Sequence, residues 1–423
     1  MHKITTLKNK LKIITNYMPS SHGVTTGIFV GTGSRYESDK IAGISHILEH
    51  MFFKGTKKRP MPEDIARSIE GIGGYANAAT SQDYTFYYNR VPKGKAAQGL
   101  EVLSDMMRNS IFDDDALERE KNVILEELNM YLDTPSRYIY DLLMHTMWPD
   151  DSLGRDVIGT PASIKQIGRN DLLEYIKSNY GPQDKILSIA GNFKSANILA
   201  LARKYFGGQK PIRQNTFKKT KRFNSEKPRV FIFPKKTDQA HLAIGFPSSF
   251  YGHKDEPALA LIDVILGTGM SSRLFLKIRE EKGLCYSINS FVEKFKDTGL
   301  FGVKAGLNIK NIDSAISAIL SEVKKITNEK VSGLELRDAK EYLRGNINLS
   351  MDNSDSIAAW YGIQGLFYQK IESPQQKIKK LLQVKEDDII KLARKLFQMR
   401  KLSLSVIGPF RKTDEKKFLK LLN

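Results

Sequence analysis

Two histidines four residues apart, with a glutamate between them, stand in an apolar run at residues 43–53. Because residues i and i+4 share one face of a helix, about 5–6 Å apart at Cβ, His46 and His50 can bind one metal ion, and Glu49 points toward the same space. This H-x-x-E-H spacing predicts a zinc site with its own general base, as in a metallopeptidase. The alternative is a solvated helix face that carries two unrelated histidines.

A catalytic zinc ion usually has three protein ligands and an open position for water, so a carboxylate must come from another element. The acidic segment 114–132 has the apolar periodicity of a long helix. In a projection at about 100° per residue, Glu120 and Glu127 fall within its apolar arc, whereas Glu126 falls among polar residues. Glu127 is therefore the candidate third ligand, and Glu120 the candidate partner that orients a ligand histidine or the water. The alternative is that both form ion pairs at the edge of a core helix.

The 76 residues 51–126 separate His50 from Glu127, and this pattern is similar to that of the pitrilysin family of zinc peptidases, whose motif is the inverted H-x-x-E-H. The resemblance covers essentially the whole chain. The run 119–127 looks like the branch that includes the mitochondrial processing peptidase and its bacterial relatives. The resemblance implies that His46, His50 and Glu127 bind one zinc ion per chain and that Glu49 is the catalytic base.

Residues 73–80 resemble the family's edge strand, on which an Asn-Ala pair hydrogen-bonds the extended substrate backbone. This implies Asn77 and Ala78 as substrate-binding residues, and edge-strand pairing is a common mode of peptide recognition. From the residues alone, the two glycines at 73 and 74 are also consistent with a helix end and a turn.

Residues 278–286 resemble the second-lobe segment whose Arg and Tyr, seven residues apart, hold the substrate near the scissile carbonyl. This implies Arg279 and Tyr286 as catalytic residues. From the residues alone, Arg279 could equally form a surface ion pair with a neighbouring glutamate, and Tyr286 could be a core strand residue.

The same order of elements occurs twice along the chain. Both halves open with two apolar, β-branched strands before a helix and close with a strand that ends near glycine. The predicted strands are 12–15, 25–31 and 185–193 in the first half, and 229–233, 241–246 and 401–410 in the second. Segment 119–127 aligns with 337–345, so Glu127 matches Gly345, and segment 256–264, which matches the H-x-x-E-H helix, has no histidine. Only the first half can hold the metal.

A polar, basic stretch without periodicity at residues 211–228 predicts a linker. We expect an α+β protein of two homologous domains in tandem, each a mostly antiparallel β-sheet covered by helices. Residues 1–210 are the predicted zinc-binding catalytic domain, and residues 229–423 the predicted non-metal domain that contributes substrate-binding residues. By resemblance, the pair forms half of a clamshell.

The chain has 423 residues, 41% hydrophobic and 27% charged, a globular composition with room for two or three domains. A single cysteine, Cys285, excludes an intramolecular disulfide framework and a cysteine-rich zinc site, and it is expected in the core. The formal charge of +19 is spread along the chain without a nucleic-acid-binding signature, so no nucleic acid is expected. It indicates either a lysine-rich solvated surface or electrostatic attraction of acidic polypeptides.

The N-terminus lacks the apolar segment of a secretory signal, and no run of 18 apolar residues occurs. We therefore expect a soluble, cytoplasmic protein without a membrane partner.

The resemblance implies a zinc-dependent endopeptidase that cuts extended or unfolded polypeptides with a metal-activated water. Two-domain members of the family enclose their substrate as dimers. This implies a homodimer in which Arg279 and Tyr286 of one subunit serve the zinc site of the other. The alternative is a non-catalytic peptide-binding or core subunit of a heterodimeric processing peptidase.

Overall fold

The structure is a computed structural model that describes residues 2–212, 218–220, 223 and 225–422, with the backbone alone at Ser195. Within the predicted linker 211–228, residues 213–217, 221, 222 and 224 lie outside the described residues. The chain divides into two compact units. The first unit comprises Met1–Leu128, Asp156–Lys218 and Asn348–Ser373, and the second comprises Asn129–Arg155, Lys219–Ile347 and Pro374–Asn423.

The strands occur in two groups, one in each unit. They are β1 (His2–Thr6), β2 (Lys12–Tyr17), β3 (Gly23–Val30), β4 (Tyr75–Thr80), β5 (Thr85–Pro92) and β6 (Lys185–Gly191) in the first, and β7 (Arg229–Pro234), β8 (Gln239–Ser248), β9 (Cys285–Lys294), β10 (Gly299–Asn308) and β11 (Ser403–Gly408) in the second.

The α-helices lie between and after these strands along the chain. They are α1 (Ile44–Met51), α2 (Pro62–Glu70), α3 (Ala96–Asn109), α4 (Asp114–Leu132), α5 (Pro135–Met147), α6 (Pro161–Gln166), α7 (Arg169–Asn179), α8 (Ser195–Phe206), α9 (Glu256–Gly267), α10 (Ile312–Asn328), α11 (Gly333–Ser350), α12 (Ser354–Phe367), α13 (Pro374–Leu382), α14 (Glu386–Leu396) and α15 (Glu415–Leu422). A π-helical segment, Phe275–Glu281, precedes β9.

The two units are built on sheets with the same strand order. The first sheet has the order β1-β2-β6-β3-β5-β4, and the second has the order β7-β11-β8-β10-β9. After β1, the strands correspond one to one. In both sheets the first corresponding pair is parallel, β2 with β6 and β7 with β11. The remaining neighbouring pairs of described strands are antiparallel. The prediction of an α+β protein with two homologous, mostly antiparallel domains is confirmed.

Each sheet is covered in part by a helix from the other half of the sequence. α12 packs on β3 and β6 of the first sheet, where it joins a core that contains Ile14, Phe29 and Ile186. α5 packs on β8 and β11 of the second sheet, where Leu143 and Met147 are buried. Hydrophobic burial thus groups the chain differently from its order in sequence.

The two compact units are defined by these contacts, and each contains segments from both halves of the sequence. They are therefore not the repeated domains, whose boundaries 1–210, 211–228 and 229–423 stay a prediction. None of the described helices is long and apolar enough to cross a bilayer.

Candidate metal centre

The helix that carries the H-x-x-E-H motif begins at a tight crossing of two loops. Gly43, which precedes α1, has φ +92°, and a Cβ there would meet the carbonyl oxygen of Ile158 at 2.5 Å, so only glycine fits. The buried carboxylate of Glu37 accepts hydrogen bonds from the N–H groups of Gly43 at 2.7 Å and Ser45 at 2.8 Å. A carboxylate at this end also complements the helix dipole. The start of α1 is therefore firmly placed.

One face of α1 is buried and the other carries the motif. The buried residues of the helix are Ile44, Ser45, Ile47, Leu48 and Met51. Helical periodicity then leaves His46, Glu49 and His50 together on the partly exposed side. The two imidazole rings lie 4.7 Å apart between centroids.

The two histidines converge on one carboxylate from α4. The Nε2 atoms of His46 and His50 each lie 3.7 Å from Oε2 of Glu127. Tetrahedral zinc with bonds of about 2.0–2.2 Å spaces its ligand atoms about 3.3–3.6 Å apart, so the donor set fits this ion. Among the described residues, these three form the one group of three or more His, Cys, Asp or Glu side chains whose ligand atoms all lie within 4.8 Å of one another.

Helix phase selects Glu127 over its neighbour. Glu126 is exposed, whereas Glu127 is half-buried and Glu120 is buried on the same side of α4. Leu117, Ile124 and Leu128, which share the predicted apolar arc, are buried as well.

Glu120 contacts His50 from behind the ligand atoms. Its Oε1 lies 2.8 Å from His50 Nδ1, and its Oε2 lies 2.7 Å from Lys54 Nζ. Burial raises the pKa of this carboxyl, but the hydrogen bonds from His50 and Lys54 outweigh it and lower the pKa below its ordinary value. An ionised Glu120 accepts a hydrogen bond from the Nδ1–H of His50, and in this tautomer the Nε2 lone pair of His50 is directed at the candidate metal position. The structure thus places Glu120 where an orienting partner would act.

Burial shifts the pKa values of two of the three candidate ligands. Burial and the nearby His50 lower the pKa of His46 to about 3, so its imidazole is neutral, the form that binds metal. Burial also raises the pKa of Glu127, partly opposed by His50. The buried Nδ1 of His46 has no hydrogen-bond partner among the described residues.

Glu49 lies on α1 beside the three candidate ligand side chains and contacts β4. Its Oε2 accepts a hydrogen bond from the hydroxyl of Thr80 at 2.5 Å. Burial raises the pKa of Glu49, while the hydrogen bonds from Thr80 oppose that rise. A carboxylate with a raised pKa is suited to accept and return a proton.

Asn77 and Ala78 lie on β4, which is the terminal strand of the first sheet. The N–H of Ser81 donates to the carbonyl of Tyr84 at 2.8 Å, and paired positions alternate along an antiparallel ladder. Counting back from Ser81 in steps of two, Ala79, Asn77 and Tyr75 are the positions hydrogen-bonded to β5. The intervening residues Ala76 and Ala78 therefore turn their N–H and C=O groups away from β5. The exposed Asn77 accepts a hydrogen bond from the Ala78 N–H through Oδ1 at 2.8 Å. The edge strand beside Glu49 therefore turns main-chain groups of Ala76 and Ala78 outward, and the Ala78 N–H among them is bonded to the Asn77 side chain.

Arg279 and Tyr286 belong to the second unit. Arg279 lies in the π-helical segment with its guanidinium 4.5 Å from the ring centroid of Phe275, and its Nε is 3.8 Å from Glu280 Oε1. Tyr286 lies on β9, the terminal strand of the second sheet, and is 46% exposed, so it is not a core residue. Cys285 is buried, as expected for a packed thiol.

Sequence reasoning missed three contacts that hold the site. Lys54 lies four residues after His50, a helical spacing that could have suggested it. No local pattern distinguishes Glu37, and the resemblance of residues 73–80 assigns no role to Thr80, whose partner Glu49 lies on an element that meets β4 only in the folded chain.

Fold and site define a class of protein: a duplicated α+β chain with an inverted zinc motif on a helix of one repeat, as in zinc metallopeptidases. The sequence model described as "Insulinase (Peptidase family M16)" matches residues 12–161, and that described as "Peptidase M16 inactive domain" matches residues 166–343. The chain belongs to peptidase family M16, the pitrilysin family of zinc metallopeptidases. The predicted family membership is confirmed.

Curated relatives extend along the whole chain. One is named uncharacterized zinc protease YmxG, from Bacillus subtilis, and is 34% identical over 97% of this chain and 98% of its own length. Another, an uncharacterized zinc protease from Streptomyces coelicolor, is 32% identical over 96% of this chain and 89% of its own length.

Solved structures share the fold. A protease from Helicobacter pylori superposes with a TM-score of 0.90 at 22% identity, over 97% of this chain and 99% of that one. A peptidase M16 inactive domain from Pseudomonas fluorescens superposes with a TM-score of 0.87 at 17% identity, over 97% and 98% of the two chains.

Proposed function

We propose that this protein is a zinc-dependent endopeptidase that hydrolyses peptide bonds in extended or unfolded polypeptides. The observation that carries the proposal is the convergence of His46, His50 and Glu127 within 4.8 Å, with Glu49 on the same helix face. Two imidazoles and one carboxylate leave an open position for water, as catalytic zinc sites do.

In this proposal different residues of the chain bind the metal, transfer the proton and orient a ligand. A zinc ion held by His46, His50 and Glu127 would supply a water of lowered pKa and polarise the scissile carbonyl. Glu49 takes the proton of the attacking water and passes it to the leaving amine. Glu120 keeps His50 in the tautomer whose Nε2 binds metal.

Substrate binding would use the free edge of β4. An extended polypeptide pairs with the main-chain groups of Ala76 and Ala78 and replaces the Asn77 side chain as acceptor of the Ala78 N–H. The released Asn77 amide then binds the same substrate backbone. Main-chain recognition of this kind requires an extended substrate, which favours unfolded segments or short peptides over folded proteins.

The proposed assembly is a homodimer that encloses the substrate. Arg279 and Tyr286 would serve the zinc site of the other subunit, where a tyrosine hydroxyl can donate to the developing oxyanion. One zinc ion per chain, the cytoplasmic location and the absence of nucleic-acid partners stay predictions.

The test combines metal analysis with cleavage of a quenched-peptide library by the wild type and Glu49→Gln. Because the amide cannot accept the water's proton, Glu49→Gln should keep its zinc and lose about 10²- to 10⁴-fold in turnover. Glu70→Gln, which changes an exposed carboxylate at the end of α2, is the control and should match the wild type.

Retained turnover in Glu49→Gln would contradict the assignment of the base. A wild-type chain that binds zinc and cuts no peptide would favour the non-catalytic, peptide-binding subunit instead.

A further inference from the structure

Thr80 is the last residue of β4, and it contacts the proposed base directly. Its Oγ1 donates to Oε2 of Glu49 at 2.5 Å, while the carbonyl oxygen of Ser45 lies farther away, at 3.5 Å. The main-chain N–H of Thr80 also donates a hydrogen bond to the Glu49 carboxylate. Thr80 therefore contacts the Glu49 carboxylate through both its hydroxyl and its main-chain N–H.

The end of β4 is rigidly placed. After Thr80 the chain turns back into β5, and the N–H groups of Ser34 and Arg35 donate to the carbonyls of Ser81 at 3.2 Å and Gln82 at 3.0 Å. A guanidinium N–H of Arg35 also donates to Asp83 Oδ1 at 2.9 Å, with both side chains buried. The hydroxyl of Thr80 is thus presented from a fixed backbone.

The partner of this hydroxyl is a flexible side chain. Glutamate has several rotatable bonds, and a base must sit within hydrogen-bond reach of the proton that it removes. Burial of the carboxylate without a donor would also be costly. A hydroxyl donor on a fixed strand therefore restricts the conformation of the Glu49 side chain, and it does so without contacting the candidate ligand atoms.

We propose that Thr80 is a positioning residue, which holds the Glu49 carboxylate in its reactive pose and ties that pose to the strand that binds substrate. The inference rests on the proposed peptidase function. Since Thr80 continues the edge formed by Ala76 and Ala78, a polypeptide paired along this edge is held in register with the base that deprotonates the attacking water. Correct registration of reactants is itself a source of rate enhancement.

The experiment compares Thr80→Val, which keeps the shape and loses the hydroxyl, with Thr80→Ser, which keeps the hydroxyl. Loss of a hydrogen bond to a charged group should lower kcat about 10- to 100-fold in Thr80→Val. KM should stay within about twofold, because the strand edge is intact. Thr80→Ser should restore most of the wild-type kcat.

Ser81→Ala is the matched control, since within the described part of the chain the Ser81 hydroxyl donates to the side chain of Gln82, at 3.2 Å, and not to Glu49. Its kcat and KM should equal those of the wild type. Zinc content should be the same in all variants, and the wild type, Thr80→Ser and Ser81→Ala should share one midpoint of thermal unfolding.

Two further measurements do not depend on turnover. The zinc-free Thr80→Val protein should bind a fluorescently labelled decapeptide with wild-type affinity, as measured by fluorescence anisotropy. Its crystal structure should show the Glu49 carboxylate displaced from the position that it has beside the wild-type hydroxyl.

The inference fails if Thr80→Val cleaves peptides at the wild-type kcat, if Thr80→Ser is equally impaired, or if the Glu49 carboxylate does not move. If the wild type itself cleaves no peptide, the proposed function fails instead, and the position of the carboxylate in the variant still decides whether Thr80 holds it.

Discussion

At the scale of single residues, Glu126 and Glu127 show how one helical step separates two roles. They are adjacent on α4, yet Glu126 is exposed and Glu127 lies 3.7 Å from the Nε2 atoms of both histidines. The same chemical change at the two positions should therefore have different effects.

Glu127→Gln is expected to lose more zinc affinity than the roughly 10- to 100-fold typical of outer-sphere substitutions, because it removes a charged ligand. Glu126→Gln should bind zinc like the wild type. Competition with a chromophoric chelator measures both, and equal affinities in the two variants would contradict the ligand assignment.

Lys185 is a buried lysine on β6 with 3% of its surface exposed. Burial lowers its pKa to about 8, partly opposed by Asp184. Between pH 8 and 10.5 the unfolded chain binds a proton that the folded chain does not, so this group's contribution makes stability rise with pH there. Below pH 8 the buried lysine is charged in the folded protein, so the full cost of burying that charge lowers the free energy of unfolding.

Lys185→Met should therefore be more stable than the wild type at pH 7, by up to about 3 kcal/mol, and the difference should shrink as pH rises from 8 toward 10.5. Urea unfolding at several pH values measures it. Lys12→Met removes an exposed lysine from β2 and should change stability by less than about 0.5 kcal/mol throughout. A gain in Lys185→Met that grows with pH would contradict the assigned direction.

At the scale of elements, α12 approaches the first sheet closely because it carries small residues. A Cβ at Gly362 would meet the ring of Phe29 at 2.2 Å, and one at Gly365 would meet Ile14 and Ile186 at 2.9 Å. Phe29 is itself buried and stacked on Phe86 at 5.4 Å, so its ring has little room to move. Glycine here is a packing requirement.

Gly362→Ala should destabilise the protein by about 1–3 kcal/mol, because overpacking at the sheet outweighs the better helix propensity of alanine. Gly345→Ala, in α11, is the matched control, since nothing lies within 4 Å of a Cβ there, and it should stabilise by about 0.5–1 kcal/mol. Thermal unfolding of both variants provides the comparison, and shifts of the same sign would refute the packing argument.

At the scale of the whole molecule, two sheets of the same topology share helices across the two halves of the sequence. A fragment cut within 211–228 would lose α12 from the first sheet and expose the core around Phe29 and Ile186. The repeated domains are therefore not expected to be independent folding units, although each contains a complete sheet.

The proposed homodimer predicts complementation between two inactive variants. Co-expression of Glu49→Gln with the double variant Arg279→Ala, Tyr286→Phe should restore up to about one quarter of wild-type activity, since half of randomly formed dimers hold one intact site. Differential tags and tandem purification isolate the mixed dimer for a peptide assay.

Each variant purified alone should be inactive and serves as the control. A mixed dimer without activity would place Arg279 and Tyr286 in the same subunit as the zinc site that they serve, and a monomeric wild type with full activity would remove the need for a dimer.

Much of the fold followed from local patterns. The helix predicted at 114–132 has those bounds in the structure, and the strands predicted at 12–15, 25–31 and 229–233 lie within or overlap β2, β3 and β7. Period-two and period-3.6 hydrophobicity identifies elements because each must bury one face. The exchange of α5 and α12 has no such signal, since an apolar stripe does not specify which sheet will cover it.

The sequence by itself determined which residues make up the candidate site: two histidines and a glutamate on one face of α1, and the helix phase that turns Glu127, and not Glu126, toward the apolar side. Spacing along one helix encodes these relations. Only the tertiary structure decided that Glu120 is shared between His50 and Lys54, and that Thr80 holds Glu49. Those contacts join elements far apart in the chain, and they depend on how whole helices and strands pack.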